Sequence, residues 1–401
     1  MSGDLRPASG GARIRQVLVK VHSRCNLACD YCYVYQHADQ SWRARPRVMT
    51  RATIDQTAGR IAEHVKSHGI PYVAVIFHGG EPLLAGPALL DHAARTMRET
   101  LSGLATVALS VQTNGILLDE EFLELFLAHR VQVGISLDGP AHANDRHRVG
   151  HQGKGSHAAV MRGLRRLRSP RYEKLYGGLL CTVDLANDPI EVYEHLLGLA
   201  PPEIDFLLPH GTWSNPPPGR SADPTQTPYA DWLATVFDHW YASPGKTIQI
   251  RLFESLISLL LGGPSGTDVV GPGGVDLITV ETDGTLEQGD VLKVTRPGGP
   301  ATGLHIGWDS FDDYLAHPAV LARQAGVAGL SEVCRACPVV RICGGGHYAH
   351  RYRSHNGFDN PSVYCADLAS FIGHVAGRLA TDLAPGAGAE PNPSGSRDPR
   401  G

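Results

Sequence analysis

Along the first half of the chain, short runs of aliphatic and β-branched residues alternate with segments of helical periodicity. IRQVLVKVH, ending at His22, reads as a strand. TIDQTAGRIAEHVK at 53–66 repeats apolar residues at Ile54, Ala58, Ile61, Ala62 and Val65, as one face of a helix does. YVAVIF at 72–77, VALSVQTNG at 107–115, VQVGISLDGP at 131–140, GLLCTVDL at 178–185 and IDFLLPH at 204–210 read as further strands. Helices fit 87–99, 119–129, 157–168 and 189–199. Near-continuous apolar strands separated by helices predict parallel βα units, with the sheet buried on both faces. Glycines and polar residues recur just after the strands, at the end where such folds carry their chemistry. Six strands predict an incomplete barrel; periodicity alone does not establish closure.

Beyond this rhythm the pattern changes. GTWSNPPPGRSADPTQTP at 211–228 is too rich in proline for a helix interior or a central strand and reads as a loop. YADWLATVFDHWYA and QIRLFESLISLLLG follow as helices, and VDLITVETDGTLEQGDVLKV as a hairpin turning at Asp283-Gly284. The expected organisation is a flexible N-terminus at 1–13, a barrel body at 14–228, a second unit at 229–382 with helical bridge, hairpin and cysteine-rich segment, and a disordered tail at 383–401.

A net charge of −4 gives no bulk attraction to nucleic acid. The chain has no run of 18 apolar residues and no apolar stretch at its N-terminus, so it is expected to be cytoplasmic, without membrane or nucleic-acid partners. Seven of the eight cysteines fall in two groups; Cys181, in an apolar run, reads as an inert buried thiol. Clustered cysteines in a long chain with no secretory signal indicate metal sites rather than disulfides.

The first group, VKVHSRCNLACDYCYVY, places Cys25, Cys29 and Cys32 directly after a strand. Three thiolates in one short loop can hold a [4Fe–4S] cluster and leave one iron open, the condition for a catalytic metal site. A zinc site completed by His22 or His37 is the alternative, and Tyr31, Tyr33 and Tyr35 stand ready to pack beside either. HGGEP closes the next strand; its glycines allow close backbone approach and its carboxylate suits an ammonium. Over about 200 residues the chain resembles the radical SAM superfamily, in which the amino and carboxylate groups of S-adenosylmethionine (SAM) chelate the open iron and an electron from the cluster releases a 5′-deoxyadenosyl radical. The resemblance implies a catalytic cluster on Cys25, Cys29 and Cys32, with Gly79, Gly80 and Glu81 near the methionyl amino group. Ser136 and Asp138 match positions that contact the SAM carboxylate or ribose. Gln112, Thr113 and Asn114 end a strand that can face the cofactor, and Arg148 can pair with a carboxylate.

The second group, CRACPVVRIC followed by Cys365, supplies four thiols, enough for zinc or an iron–sulfur cluster. It resembles the SPASM extension of peptide-modifying radical SAM enzymes, which implies an auxiliary [4Fe–4S] cluster on Cys334, Cys337, Cys343 and Cys365. The complete pattern has a second auxiliary cluster, but Gly289 and His347 stand where two of its cysteines belong. Two clusters are therefore expected, one catalytic and one auxiliary. Asp290, next to the empty position, matches a base proposed for relatives that oxidise sulfatase residues. GGGHYAHRYRSHNGFDNPSVYCADL and ETDGTLEQGDVLK resemble the FxsB-type branch of peptide maturases. That branch implies modification of a ribosomally made precursor peptide by joining an aromatic ring carbon to a β-carbon in a three-residue cyclophane. Formylglycine-type oxidation, thioether formation, epimerisation and β-hydroxylation are the alternatives within enzymes, and a non-enzymatic zinc-binding interaction protein the alternative outside them. The implied partners are the precursor peptide, an electron donor such as a flavodoxin or ferredoxin, and a separate leader-binding protein if leader recognition needs one.

Overall fold

The computed structural model describes residues 12–243 and 248–383. Residues 1–11, 244–247 and 384–401 lie outside it, and with them nearly all of the N-terminus and tail expected to be disordered. Among the described residues the strands are β1 (Gln16–His22), β2 (Tyr72–Gly79), β3 (Thr106–Thr113), β4 (Val131–Ser136), β5 (Tyr176–Thr182), β6 (Glu203–Leu207), β7 (Gln249–Ile250), β8 (Leu277–Val280), β9 (Thr285–Glu287) and β10 (Ala301–His305). They form one sheet in the order β10-β9-β8-β1-β2-β3-β4-β5-β6-β7. From β1 to β7 neighbours are parallel and consecutive, the winding that right-handed βα crossovers produce. β7 and β10 lie at opposite ends of the sheet and do not pair with each other, so the barrel is partial and open.

Alternation within each strand sorts the side chains. Val17, Val19 and Val21 of β1, Val73, Val75 and Phe77 of β2, and Val107, Leu109 and Val111 of β3 are buried in the core. The covering helices include Arg51–His68, Pro87–Thr100 and Glu120–His129. Thr50 and Asp119 cap two of these helices through side-chain bonds to Thr53 N and Phe122 N. The intervening positions near the strand ends, Lys20, His78, Gln112 and Ser136, lie on the opposite face of the sheet.

Two features differ from the pattern reading. The hairpin does not stand apart from the barrel: β8 pairs with β9 antiparallel but with β1 parallel, so it extends the barrel's own sheet. The segment after residue 248 begins as the short strand β7, and its helix starts at Arg251. A long helix, Cys365–Leu383, packs Phe371 on Phe237 and Phe253 of the two bridge helices, at centroid distances of 6.0 and 5.6 Å. Burying such a phenylalanine is worth ~2–3 kcal/mol. No helix among the described residues is long and apolar enough to cross a membrane.

Candidate functional site

The loop bearing Cys25, Cys29 and Cys32 leaves β1 and is laced to the end of β2. Gly80 N donates to His22 O at 2.9 Å, and Glu81 N to Arg24 O at 3.0 Å. A Cβ on Gly79 would lie 2.3 Å from His22 O; one on Gly80 would lie 1.8 Å from the Tyr35 hydroxyl and 2.5 Å from the Arg24 backbone. The two glycines are thus demanded by contact with the cysteine loop. On the loop's other side Ala28 N donates to Val149 O at 2.7 Å.

Burial, then Glu81 and the neighbouring thiols, pushes Cys25 up to about 12. Burial likewise pushes Cys29 up to about 11, against the nearby Arg148, and raises Cys32. Three half-buried thiols that resist ionising beside one another fit a strongly cationic partner, which binds thiolates and deprotonates them outright. An iron–sulfur cluster suits this donor set.

Polar residues from neighbouring strand ends gather beside the loop. Glu81, 1% exposed, accepts from Thr113 Oγ1 (2.6 Å), Leu83 N (3.0 Å) and Asn114 N (2.8 Å). Its carboxylate therefore ties β2 to β3, with both oxygens taken by the chain's own donors. Asn114 Nδ2 donates to Asn26 Oδ1 at 2.7 Å and lies 3.8 Å from Cys25 Sγ. Gln112 Nε2 donates to Ser136 Oγ at 3.0 Å. Asp138 accepts from Thr182 N at 3.0 Å and from the Tyr31 hydroxyl, which in turn accepts from Arg148 Nη1 at 2.7 Å. Arg148 is 8% exposed, and its Nε is buried without a partner.

Asp290 follows β9 and is 3% exposed. Its Oδ2 pairs with the Lys20 ammonium and lies 3.8 Å from His78 Nδ1, while its Oδ1 has no partner. Burial alone would raise its pKa; Lys20, then Lys293 and His78, outweigh burial and hold it down to about 2. Around it Lys293 meets Glu281 (3.2 Å) and Glu287 (3.0 Å), and Arg45 meets Glu287 (2.5 Å) and Asp283 (2.6 Å). Lys20 and His78 are cross-strand partners on β1 and β2. They were not singled out from sequence, although a lysine on the inner face of VLVKVH is itself a signal.

Cys334, Cys337, Cys343 and Cys365 line one pocket whose other walls include Val333, Val339, Val340 and Ala369. Cys365 opens the helix Cys365–Leu383, and burial, then the neighbouring Cys334 and Cys337, pushes its thiol pKa up. Gly344, Gly345 and Gly346 all have positive φ, turning the chain sharply after Cys343. Arg351 fastens the turn with bonds to all three carbonyls, at 2.7–3.0 Å. Four thiols lining one pocket fit a cluster with all four ligands from the protein; with the first loop, the seven grouped cysteines form two separate donor sets.

Residues 19–182 match the family model of the radical SAM superfamily. The chain is 28% identical over 267 residues to the serine-type anaerobic sulfatase-maturating enzyme of Bacteroides thetaiotaomicron, covering 62% of this chain and 63% of that one. It is 23% identical over 363 residues to the cysteine-type anaerobic sulfatase-maturating enzyme of Clostridium perfringens, covering 89% of this chain and 95% of the relative. Native anSMEcpe with bound AdoMet superimposes with a TM-score of 0.78 at 21% identity, over 92% of this chain and 98% of that one. Streptococcus suis SuiB follows at 0.59 and 12% identity, over 88% and 77%. At such identities the structural likeness establishes the fold.

Proposed function

Starting from the chain as a radical SAM enzyme with a SPASM-like extension, we propose that it oxidises the β-carbon of a serine or cysteine within a peptide or protein, leaving a formylglycine-type aldehyde. The observation that carries this reading is Asp290, a buried carboxylate held ionised beside Lys20 with one oxygen free, in a chain similar to sulfatase-maturating enzymes over most of its length. When loaded, the two cysteine groups supply a 5′-deoxyadenosyl radical from SAM and an acceptor for one electron.

The chain's own residues do the rest. With the cofactor bound, its radical would remove one hydrogen atom from the substrate β-carbon, and the chain's residues act on what remains. The carbon-centred radical then loses one electron and the hydroxyl or thiol proton, and Asp290 takes that proton on its free Oδ1; serine gives the aldehyde directly, and cysteine gives a thioaldehyde that water hydrolyses to the aldehyde with release of hydrogen sulfide. Lys20 keeps the acceptor ionised. Glu81, through Thr113 and Asn114, sets the position of the loops that hold the cofactor. Gln112, Ser136, Asp138 and Arg148 offer polar contacts for SAM, Arg148 through its unpartnered Nε. An external electron donor restores the reduced state.

Cyclophane formation on a ribosomal precursor peptide is the second reading, favoured by the segment 344–368 and the hairpin ETDGTLEQGDVLK, whose sequences resemble the FxsB-type branch. The same Asp290 would then take the proton lost from the aromatic ring. The test of the shared proposal is Asp290→Asn in the anaerobic, cluster-loaded enzyme. Product should fall by about 10²–10⁴-fold while SAM cleavage persists. Loss of cluster or of SAM binding in that variant would refute the assignment.

A further inference from the structure

Three histidines from two distant parts of the chain meet near the end of β6. His210 follows β6, and His347 and His350 lie on the turn after the triple glycine. Their ring centroids stand 5.5, 5.2 and 5.0 Å apart, and one ring nitrogen from each lies within 4.8 Å of the other two. His347 and His350 are 5% and 2% exposed. His210 Nδ1 is 3.0 Å from His350 Nε2, and His347 Nε2 is 3.2 Å from Asp268 Oδ2.

We propose that His210, His347, His350 and the carboxylate of Asp268 bind one divalent first-row transition ion, of which zinc is the best match, at a site separate from both cysteine groups. His92, His129 and His374 each face one carboxylate singly, Asp55, Asp91 and Asp238, and His64 and His68 share the half-exposed Asp312. Here three imidazoles turn toward one another, and one of them, His347, also meets the carboxylate of Asp268. Nitrogen and oxygen atoms about 3 Å apart are the spacing of neighbouring ligands around an ion with bonds of about 2.0–2.1 Å. Three imidazoles and a carboxylate, with no thiolate, select zinc or a similar ion over an iron–sulfur cluster.

The rings are held from behind. Tyr33 packs edge-on against His210 at 5.2 Å, Tyr364 lies 5.1 Å from His350, and Arg351 locks the glycine turn. Binding at His347 Nε2 moves the ring proton to Nδ1 and displaces one long bond from Ala349 N, at 3.2 Å, in exchange for bonds to the ion. Asp268 has a side chain 64% exposed, which gives the ion an entry path. Bound there, the ion would tie the end of β6 to the turn that follows Cys343.

The test compares metal with sulfide. An iron–sulfur cluster of this type contains iron and acid-labile sulfide in equal amounts. In holoenzyme incubated with zinc and dialysed, total iron plus zinc should therefore exceed sulfide by one ion per chain. The excess should vanish in His347→Ala/His350→Ala with sulfide unchanged. Asp268→Asn should weaken zinc binding about 10–100-fold in competition with a chelating dye. A wild-type enzyme with no excess metal, or an excess that persists in the double variant, overturns the proposal. Should the double variant lose its sulfide, His210→Gln replaces it under the same two criteria. None of these readouts depends on the reaction proposed above.

Discussion

Replacing Lys20 by methionine should convert a pH-independent proton acceptor into a titrating one. Lys20 and Asp290 are 2% and 3% exposed and form an ion pair, with Lys293 as a further positive neighbour and His78, pushed down to about 4 by burial and Lys20, beside them. Burial alone drives the Asp290 carboxyl upward; these charges hold it at about 2. Two unit charges ~4 Å apart at an effective dielectric constant of ~20 attract by ~4 kcal/mol, equivalent to roughly three pH units. Without Lys20, product formation should acquire an acidic limb centred at about pH 5, rising with pH as the carboxyl ionises. Stability moves in the same sense. Because the folded carboxyl is held below its unfolded value, its stabilisation is present above about pH 4 and is lost as pH falls toward about 2. Removing the cation from this buried pair should also cost ~3 kcal/mol at neutral pH. The assay is the ratio of modified product to 5′-deoxyadenosine between about pH 5 and 8, with urea unfolding alongside. A variant with the wild-type ratio and a flat profile would refute the claim that Lys20 keeps Asp290 ionised.

Other perturbations probe the remaining parts. Glu81→Gln places an amide donor against one of its three donors, costing ~1–3 kcal/mol; equilibrium dialysis should show weakened SAM binding, and thermal unfolding a lower midpoint. Gly80→Ala drives a methyl group into Tyr35 and the Arg24 backbone, so iron analysis should show loss of the first cluster. Cys365→Ala should lower iron from about eight to about four per chain, with 5′-deoxyadenosine still formed and modified peptide lost.

The strands were legible because one face of each is packed in the core and most of the other is partly covered, which writes each as a short, largely apolar run. The cysteine loop and HGGEP were legible for a related reason: chemistry at strand ends interrupts those runs with residues of unmistakable type. β10 was not, since an edge strand of five residues with Gly303 at φ 77° carries no periodic pattern. The helix Cys365–Leu383 contains Gly373 and Gly377, which weaken local propensity; its packing of Phe371, Ile372 and Val375 supplies what propensity lacks. Partners distant in sequence were the least visible. Glu81 reads as a ligand for an ammonium, and only the fold reveals its bonds to Thr113 and Asn114. Lys20 lies 270 residues from Asp290, and β1–β8 pairing brings them together.

The most direct test of the proposed reaction uses a peptide deuterated at the β-carbon of its serine. With the anaerobic enzyme, SAM and reductant, deuterium should appear in 5′-deoxyadenosine, and the peptide should lose two hydrogens and react with a hydrazide. Deuterium transfer accompanied by a crosslink to an aromatic ring and no aldehyde, or 5′-deoxyadenosine formed without deuterium from any such peptide, would contradict it.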